Sequence, residues 1–201
     1  MERSEAIQKL KALEGYDLVP LALTYGVTIW RQGRTNKGWA GHVIERYLGL
    51  PLNCAQSPNF GSWELKIVPL KRLANGEIVV KETMAITMID PVNVAQKPFE
   101  ESHLLAKLQK AVVCARMFES QIEDRSVLVR VAQFDLSDRR IYEQVRADYE
   151  ETRLCICGRG LACLTGAMGL LVQPRTKGPG HGSISRAFYA RTGFVKHILG
   201  L

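Results

Sequence analysis

The stretch 63–70 places two charged side chains inside an otherwise apolar run. Successive side chains of a β-strand point to opposite faces of a sheet. A strand over these residues would therefore carry Glu64 and Lys66 on one face and Leu65 and Ile67 on the other. The stretch predicts an amphipathic strand that holds a carboxylate beside an ammonium group.

Helices and strands interleave irregularly along the rest of the chain. Apolar periodicity and capping residues predict helices at 4–14, 17–25, 36–48, 99–109, 138–153 and 192–199, and further strands at 78–89, 111–118, 126–134, 169–172 and 187–190. Residues 173–185, rich in glycine, proline and basic residues, are predicted to form a loop. With 201 residues the chain is expected to form a single domain of mixed α/β (α+β) class, with a central sheet and two lobes around a cleft.

The distribution of charge along the chain is one-sided. All 20 acidic residues lie at or before Glu151, whereas the segment 152–201 contains seven basic residues and accounts for the net charge of +7. Basic blocks of this kind commonly face polyanions, because neutralising phosphates releases condensed counterions. A basic surface that serves solubility alone is the alternative interpretation, although such surfaces usually intersperse both signs of charge.

The cysteines and the amino terminus bear on the cellular environment. The five cysteines are Cys54, Cys114, Cys155, Cys157 and Cys163, and the spacing of the last three departs from the pairs typical of zinc sites. We therefore predict buried free thiols rather than a disulfide framework. The polar start lacks the apolar region of a signal peptide, and no apolar run approaches the roughly 18 residues of a membrane span. These features predict a cytoplasmic protein.

A carboxylate beside a lysine suits the hydrolysis of phosphodiesters. Glu64 can hold a hard divalent cation, and Lys66 can position or deprotonate the attacking water. The same Glu-x-Lys pattern also occurs by chance on the outer face of ordinary amphipathic strands. The pattern alone therefore leaves both interpretations open.

Several segments in a fixed order carry a resemblance to a known family. They are 36–49 (NKGWAGHVIERYLG), 57–60 (SPNF), 63–70 (WELKIVPL), 99–108 (FEESHLLAKL), 145–151 (VRADYEE) and 186–189 (RAFY). Together they resemble MutH-type DNA endonucleases and the related type II restriction enzymes, over about residues 10–200. The resemblance implies the PD-(D/E)xK restriction-endonuclease fold with a central mixed sheet, Mg²⁺ as the cofactor and double-stranded DNA as the substrate.

The resemblance assigns roles to four charged residues. Glu64 would be a ligand of the metal ion, Lys66 the catalytic lysine, and Glu45 a second acidic group at the metal site. Lys107 would approach the DNA phosphate next to the scissile bond. The helical periodicity of 36–48 gives Glu45 no independent support, because it lies well around from the apolar face and would be expected in solvent.

Asn59 departs from the family pattern, which has an aspartate at this position as a charged metal ligand. An amide oxygen has nearly the shape of a carboxylate but lacks its charge, so it should hold a hard dication less strongly. Two explanations are open: a substitution that preserves the shape of the site while silencing cleavage, or a natural homologue with weak or no activity. In either case we expect Asn59 to be part of the catalytic and metal site.

The carboxyl-terminal segment is predicted to read the DNA. Gln173 and Arg175 begin a segment similar to the family's Arg-Pro-Lys segment, and both side-chain types can form bidentate contacts to adenine or guanine. Tyr189 resembles a family tyrosine that lies close to the methylatable base. Further predicted DNA contacts, which include grips on phosphates, are Lys177, Arg186 and Arg191. A flexible basic connection without a reading role is the alternative.

These expectations define one preferred function and two alternatives. The preferred function is that of a restriction-type, sequence-specific DNA endonuclease that depends on Mg²⁺ and works as a monomer. The first alternative is a methyl-directed mismatch-repair endonuclease that nicks DNA and depends on an activator protein. The second is a site-specific DNA-binding protein that no longer cleaves. Residues 1–118 would form the catalytic lobe and residues 119–201 the DNA-reading lobe.

Overall fold

The computed structural model describes residues 1–49, 61–178 and 184–201. Within these ranges the α-helices are α1 (Arg3–Lys11), α2 (Leu18–Thr24), α3 (Trp39–Tyr47), α4 (Pro91–Gln96), α5 (His103–Leu108), α6 (Arg139–Arg159) and α7 (Thr192–Leu199). The strands are β1 (Trp30–Arg31), β2 (Arg34–Thr35), β3 (Glu64–Arg72), β4 (Ile78–Val80), β5 (Met84–Met88), β6 (Lys110–Met117), β7 (Leu128–Asp135), β8 (Val172–Thr176) and β9 (Arg186–Ala190). The predicted mixed α+β class is confirmed.

A four-stranded sheet in the order β4-β3-β6-β7 divides the apolar interior into two layers. β3 and β6 run parallel, and the other neighbouring strands are antiparallel. On one face Leu65 packs with α1, α2 and α3, while on the other face Val68 packs with α5, α6 and α7. The predicted alternation is confirmed, because Glu64 and Lys66 lie on the same face of β3 as Val68.

A second, three-stranded antiparallel sheet has the order β5-β9-β8. The prediction of one strand over 78–89 is wrong, since β4 joins the first sheet and β5 joins the second. The polar residues 81–83 interrupt the apolar run, and the chain changes sheets there. Each sheet thus contains strands from both of the predicted lobes, 1–118 and 119–201, because β7 pairs with β6 and β5 pairs with β9.

Side-chain caps explain where several helices begin. Asp17 and Asp138 accept hydrogen bonds from backbone N–H groups in the first turns of α2 and α6. The predicted helix 99–109 is instead a 3₁₀ turn followed by α5, because the Ser102 hydroxyl caps a new helix start. Asp90 caps α4, a helix that is absent from the helices predicted above. None of the described helices is long and apolar enough to cross a bilayer.

The segment predicted as the loop 173–185 begins as a strand. β8 lies at the edge of the second sheet, where a proline such as Pro174 is tolerated. Gln173 and Arg175 are therefore held by pairing with β9 rather than carried on a flexible connection. Residues 179–183 of the predicted loop lie outside the described ranges.

Cys155 and Cys163 form a disulfide, so the prediction of free thiols is wrong for this pair. Cys155 lies near the end of α6, and the chain reverses into the following 3₁₀ turn, which brings the two Cα atoms within 6.2 Å. Cys114 is a buried free thiol as predicted, and burial raises its pKa well above the ordinary value. Cys157 is free but exposed, and Cys54 lies outside the described residues.

The carboxylate of Asp148 in α6 fixes the segment that leads into β8. It accepts hydrogen bonds of 2.7–2.9 Å from the backbone N–H groups of Leu170, Leu171 and Val172. The Arg191 guanidinium donates to carbonyl oxygens of the same segment. An acidic and a basic side chain thus satisfy the donors and acceptors of one short loop and set the position of β8.

We predict that Asp148→Ala lowers the free energy of unfolding by about 3 kcal/mol or more, because it leaves three backbone donors, one buried and two partly buried, without their acceptor. Glu143→Ala removes the same charge from an exposed position of the same helix and should change stability by less than about 0.5 kcal/mol. Urea unfolding followed by circular dichroism measures both values. Equal stability of the two variants would show that Asp148 does not hold the loop.

Candidate active site

β3 begins at Glu64, whose side chain is almost fully buried, with 1% of its surface exposed. Two ammonium groups approach the same carboxylate oxygen. The Nζ atom of Lys66 lies 2.7 Å from Oε1 of Glu64, and the Nζ atom of Lys107 lies 3.3 Å from it. A buried carboxylate is costly unless its charge is compensated, and here two cations compensate it.

The parallel pairing of β3 with β6 explains why Lys107 reaches this carboxylate. Glu64 lies opposite Ala111 near the start of both strands, and α5 ends three residues before Ala111. Lys107 occupies the last turn of that helix and is 8% exposed. The helix end and the strand start are therefore brought together by the register of the sheet.

The amino group of Lys66 also connects the two sheets. It donates a hydrogen bond of 3.1 Å to the carbonyl oxygen of Ile86 in β5. The register of β5 against β9 shifts between Ala85 and Thr87, so Ile86 is the extra residue of a β-bulge. A bulge leaves its extra residue outside the regular ladder of hydrogen bonds. The bulge thereby provides a carbonyl acceptor that holds Lys66.

Burial lowers the pKa of Lys66 from its ordinary value, and the Glu64 carboxylate acts in the opposite direction. The positive charges of Lys107 and Lys177 lower this pKa further. A lysine whose pKa is lowered gives up its proton more readily, which suits it to exchange protons with water.

Glu45 approaches this pair of residues from α3. The helix buries its apolar face on the first sheet, and Glu45 is half-buried at the margin of that face. Burial raises the pKa of Glu45, and the negative charge of Glu64 raises it further, whereas Lys66 lowers it. The periodicity-based expectation of a solvated residue is therefore wrong, and Glu45 shares the electrostatic environment of Glu64 and Lys66.

A buried ion pair supports the helix that carries Glu45. The Arg116 guanidinium forms hydrogen bonds of 2.6 and 2.9 Å with the Glu123 carboxylate and lies 5.2 Å from the centre of the Trp39 ring. Trp39 is the first residue of α3, so this cation–π contact helps to fix the start of the helix. Arg116 also lines a cavity of about 200 Å³ together with Glu45 and Lys66.

A cleft of about 510 Å³ extends from Lys66 to the second sheet. Arg175 and Tyr189 line it, and the Arg175 guanidinium lies 5.8 Å from the centre of the Tyr189 ring. The hydroxyl of Thr83 accepts a hydrogen bond of 2.9 Å from Arg175. Burial raises the pKa of Tyr189, so its hydroxyl stays protonated and able to donate a hydrogen bond. Candidate catalytic and reading residues therefore face one cleft.

Gln173 and Arg191, which were predicted to contact DNA, make contacts within the protein. Gln173 is only 5% exposed, and its side chain lies close to Gly166. Arg191 donates to the four carbonyl oxygens of residues 166–169, at 2.9–3.1 Å. Its guanidinium holds a loop, so the basic block of the sequence does not form a single surface.

Lys177 and Arg186 differ in their relation to the cleft. Lys177 is exposed at the end of β8, and its charge is close enough to lower the pKa of Lys66. Arg186 begins β9 and, by strand alternation, lies on the face opposite Tyr189. Lys177 is thus the better placed of the two for a contact beside the active site.

Sequence reasoning missed three residues that line the cleft, namely Lys37, Glu82 and Thr83. Lys37 belongs to the segment 36–49 that carries the family resemblance, and this was the available signal. Glu82 and Thr83 lie where the predicted strand 78–89 breaks between two sheets. Consecutive polar residues inside that apolar run were the signal of the break.

Glu45 and Glu64, the two acidic metal ligands that the family resemblance implies, both lie among the described residues. In the part of the chain that the structure describes, no group of three or more histidine, cysteine, aspartate or glutamate side chains could hold a metal. Asn59, the third predicted ligand, lies outside the described residues. Its role stays a prediction from the family resemblance.

Known proteins resemble this chain along nearly its whole length. The family model described as "DNA mismatch repair enzyme MutH" matches residues 48–146. The DNA mismatch repair protein MutH of Haemophilus ducreyi is 26% identical over 212 residues, which cover 98% of this chain and 92% of that protein. The MutH protein of Shewanella sp. (strain MR-4) is 25% identical over 215 residues, with coverage of 98% and 93%. These matches support a MutH-type endonuclease family for the chain.

The similarity to MutH proteins changes the order of the functional alternatives. The relatives are DNA mismatch repair proteins, so the mismatch-repair alternative is better supported than the restriction-type function that we preferred from the sequence. The region matched by the MutH family model contains Glu64, Lys66 and Lys107. The mixed α+β architecture agrees with the restriction-endonuclease-like fold of MutH.

We predict that Lys107→Met lowers the free energy of unfolding by about 1–3 kcal/mol more in the unsubstituted chain than in a Glu64→Gln variant, because Lys107 compensates a charge that glutamine lacks. Urea unfolding of the four proteins in this double-mutant cycle measures the coupling. Lys71→Met, at an exposed position of the same strand as Glu64, should show no coupling to Glu64→Gln. No coupling for Lys107 would contradict the proposed charge compensation.

Proposed function

We propose that this protein is a divalent-metal-dependent endonuclease that nicks double-stranded DNA in mismatch repair. The observation that carries the proposal is the convergence of Lys66 and Lys107 on one oxygen of Glu64, with Glu45 beside them. A cleft runs from this group to the second sheet and offers a place for DNA. The MutH relatives support the mismatch-repair part of the proposal.

Glu45 and Glu64 would hold the metal ion, and we propose Mg²⁺ as the natural one. Carboxylate oxygens are the ligands that hard cations prefer. Burial raises the pKa of Glu45 and the charge of Glu64 raises it further, so a dication held between the two carboxylates would favour the charged form of Glu45. When bound, the ion would stabilise the negative charge that develops on the phosphate.

Lys66 and Lys107 have different tasks in this proposal. The lowered pKa of Lys66 suits it to take a proton from the attacking water, and the Ile86 carbonyl keeps its amino group in position. Lys107 is more deeply buried than Lys66 and stays beside Glu64. Its positive charge would orient Glu64 and help to neutralise the phosphate.

Arg175 and Tyr189 would contact DNA from the wall of the cleft formed by the second sheet. An arginine can bind guanine through two hydrogen bonds in the major groove, and Thr83 holds this one in place beforehand. Lys177 would bind a phosphate near Lys66. Gln173 would support β8 from within the protein rather than touch a base.

The proposed active unit is a monomer. Glu45, Glu64, Lys66 and Lys107 come from one chain, and so do the residues of the cleft wall. We further propose that a mismatch-repair activator protein is the partner that controls nicking, in line with the relatives' role in mismatch repair.

Asn59 favours a second candidate function, that of a DNA-binding protein that does not cleave. An asparagine at the family's aspartate position removes one negative charge from the proposed metal site. The two functions share DNA binding and differ only in metal-dependent cleavage. A substitution at position 59 separates them.

We predict that Asn59→Asp raises Mg²⁺-dependent cleavage of supercoiled plasmid by at least about 100-fold, because charge stabilisation by a metal ion is worth several kcal/mol. The expected product is the nicked circle. Gel electrophoresis of the plasmid over time measures both the rate and the product.

Asn53→Asp adds the same charge six residues away and serves as the matched control. Linear product from the Asn59→Asp protein would favour the restriction-type function. Retardation of the plasmid without any cutting by either protein would favour the DNA-binding function.

We predict that Arg175→Ala and Tyr189→Phe each reduce discrimination between a cognate duplex and its single-base or methylation variants, by about 1–3 kcal/mol for each hydrogen-bonded base that the variant no longer recognises. Lys177→Ala should instead weaken binding to all duplexes alike and reduce its salt dependence. Competition binding with matched duplexes measures both effects. An unchanged preference ratio in the first two variants would place the reading residues elsewhere.

A further inference from the structure

We propose that a concavity between the β1–β2 hairpin and α3 binds a backbone phosphate of the DNA duplex, outside the catalytic cleft. The inference rests on the proposed function, because it extends the DNA contact of the same protein. The concavity has a volume of about 650 Å³, and its lining includes Thr28, Gln32, Arg34, Asn36, His42 and Arg46.

Among the described residues, no acidic side chain pairs with the basic side chains around this concavity. Its lining contains no aspartate or glutamate, and within residues 1–49, 61–178 and 184–201 no carboxylate forms an ion pair with Arg34, His42 or Arg46. The arginines that do pair with a carboxylate are Arg3, Arg116, Arg125, Arg146 and Arg153. Uncompensated positive charge in a concave surface concentrates anions.

Hydrogen bonds hold the edges of the concavity in place. The Asn36 side chain donates to the Thr28 carbonyl at 3.0 Å and accepts from the Gly38 N–H at 3.2 Å, which links the hairpin to the start of α3. The Arg46 guanidinium donates to the Tyr25 carbonyl, which uses one of its five N–H donors. Within the described part of the chain the remaining donors of this guanidinium make no other hydrogen bond, so they can bind an anion.

α3 places the concavity about one helical turn from the active site. His42 lines the concavity, whereas Glu45, three residues later, lines the cavity shared with Lys66. Residues three apart on a helix have Cβ atoms about 5–6 Å apart. Gly38 lies between the two spaces, because it lines the active-site cavity and a Cβ placed on it would lie 3.4 Å from the His42 ring.

A DNA strand is the anion that fits this placement. Successive phosphates of one strand rise by about 3.4 Å along the duplex axis. A strand with its scissile phosphate at Glu64 therefore brings a neighbouring phosphate, a few nucleotides away, within reach of the concavity. Arg34 and Arg46 would bind it by charge-assisted hydrogen bonds.

The test is the salt dependence of duplex binding by the full chain, measured by fluorescence anisotropy in the presence of EDTA. The slope of log K against log salt concentration should be shallower for R34A/R46A than for the unsubstituted chain, by about 0.9 for each phosphate that the variant no longer neutralises. R139A/R140A removes the same charge from exposed positions at the start of α6 that line none of these cavities, and should leave the slope unchanged. Thermal unfolding checks that each variant is folded, and R34Q/R46Q replaces the alanine variant if that variant is not.

An unchanged slope for R34A/R46A, or an equal change in the control, would overturn the inference and leave the proposed function intact. If inorganic phosphate binds at these arginines while the duplex slope stays unchanged, the concavity is a site for free anions and the inference is also overturned. If the unsubstituted chain binds no duplex at all, the proposed function fails first and the inference fails with it.

Discussion

The buried carboxylate of Glu64, compensated by Lys66 and Lys107, is the interaction on which the active site depends. An uncompensated carboxylate in this position would cost several kcal/mol. The compensation depends on the relative positions of three elements. Glu64 is the first residue of β3, Lys107 lies in the last turn of α5, and the Ile86 carbonyl at the bulge of β5 holds Lys66. The geometry of the site is therefore a consequence of how the two sheets meet.

The reading side of the cleft depends on residues that do not face DNA. Asp148 and Arg191 satisfy the peptide groups of the loop before β8, and that strand carries Arg175 into the cleft. Some of the basic residues after Glu151 therefore stabilise the fold, whereas others line the proposed DNA-binding cleft. Arg191 contributes stability, whereas Arg175 and Lys177 contribute charge beside the proposed active site.

Features with a local cause could be predicted from the sequence, and features that depend on tertiary contacts could not. The sharing of one face by Glu64 and Lys66 follows from the period of a strand, and the start of α6 follows from Asp138. The burial of Glu45 depends on where α3 packs, for which the helical pattern contains no signal. The family resemblance pointed to Glu45 because it compares residues from several segments of the chain, whereas the periodicity concerns one helix only.

The division of 78–89 between two sheets could not be predicted either. An apolar run indicates a strand but does not indicate which other strand it pairs with. The disulfide between Cys155 and Cys163 depends on a chain reversal after α6, and the burial of Gln173 depends on how β8 packs against the rest of the protein.

Lys66 is proposed to act on the reaction and not on DNA binding. The most direct test compares the cleavage rate and the duplex affinity of Asn59→Asp proteins with and without Lys66→Ala, and uses Lys71→Ala at an exposed position as the control. We expect Lys66→Ala to lower the cleavage rate by about 100-fold or more with little change in affinity. Cleavage that persists, or a large loss of affinity with normal turnover, would contradict it.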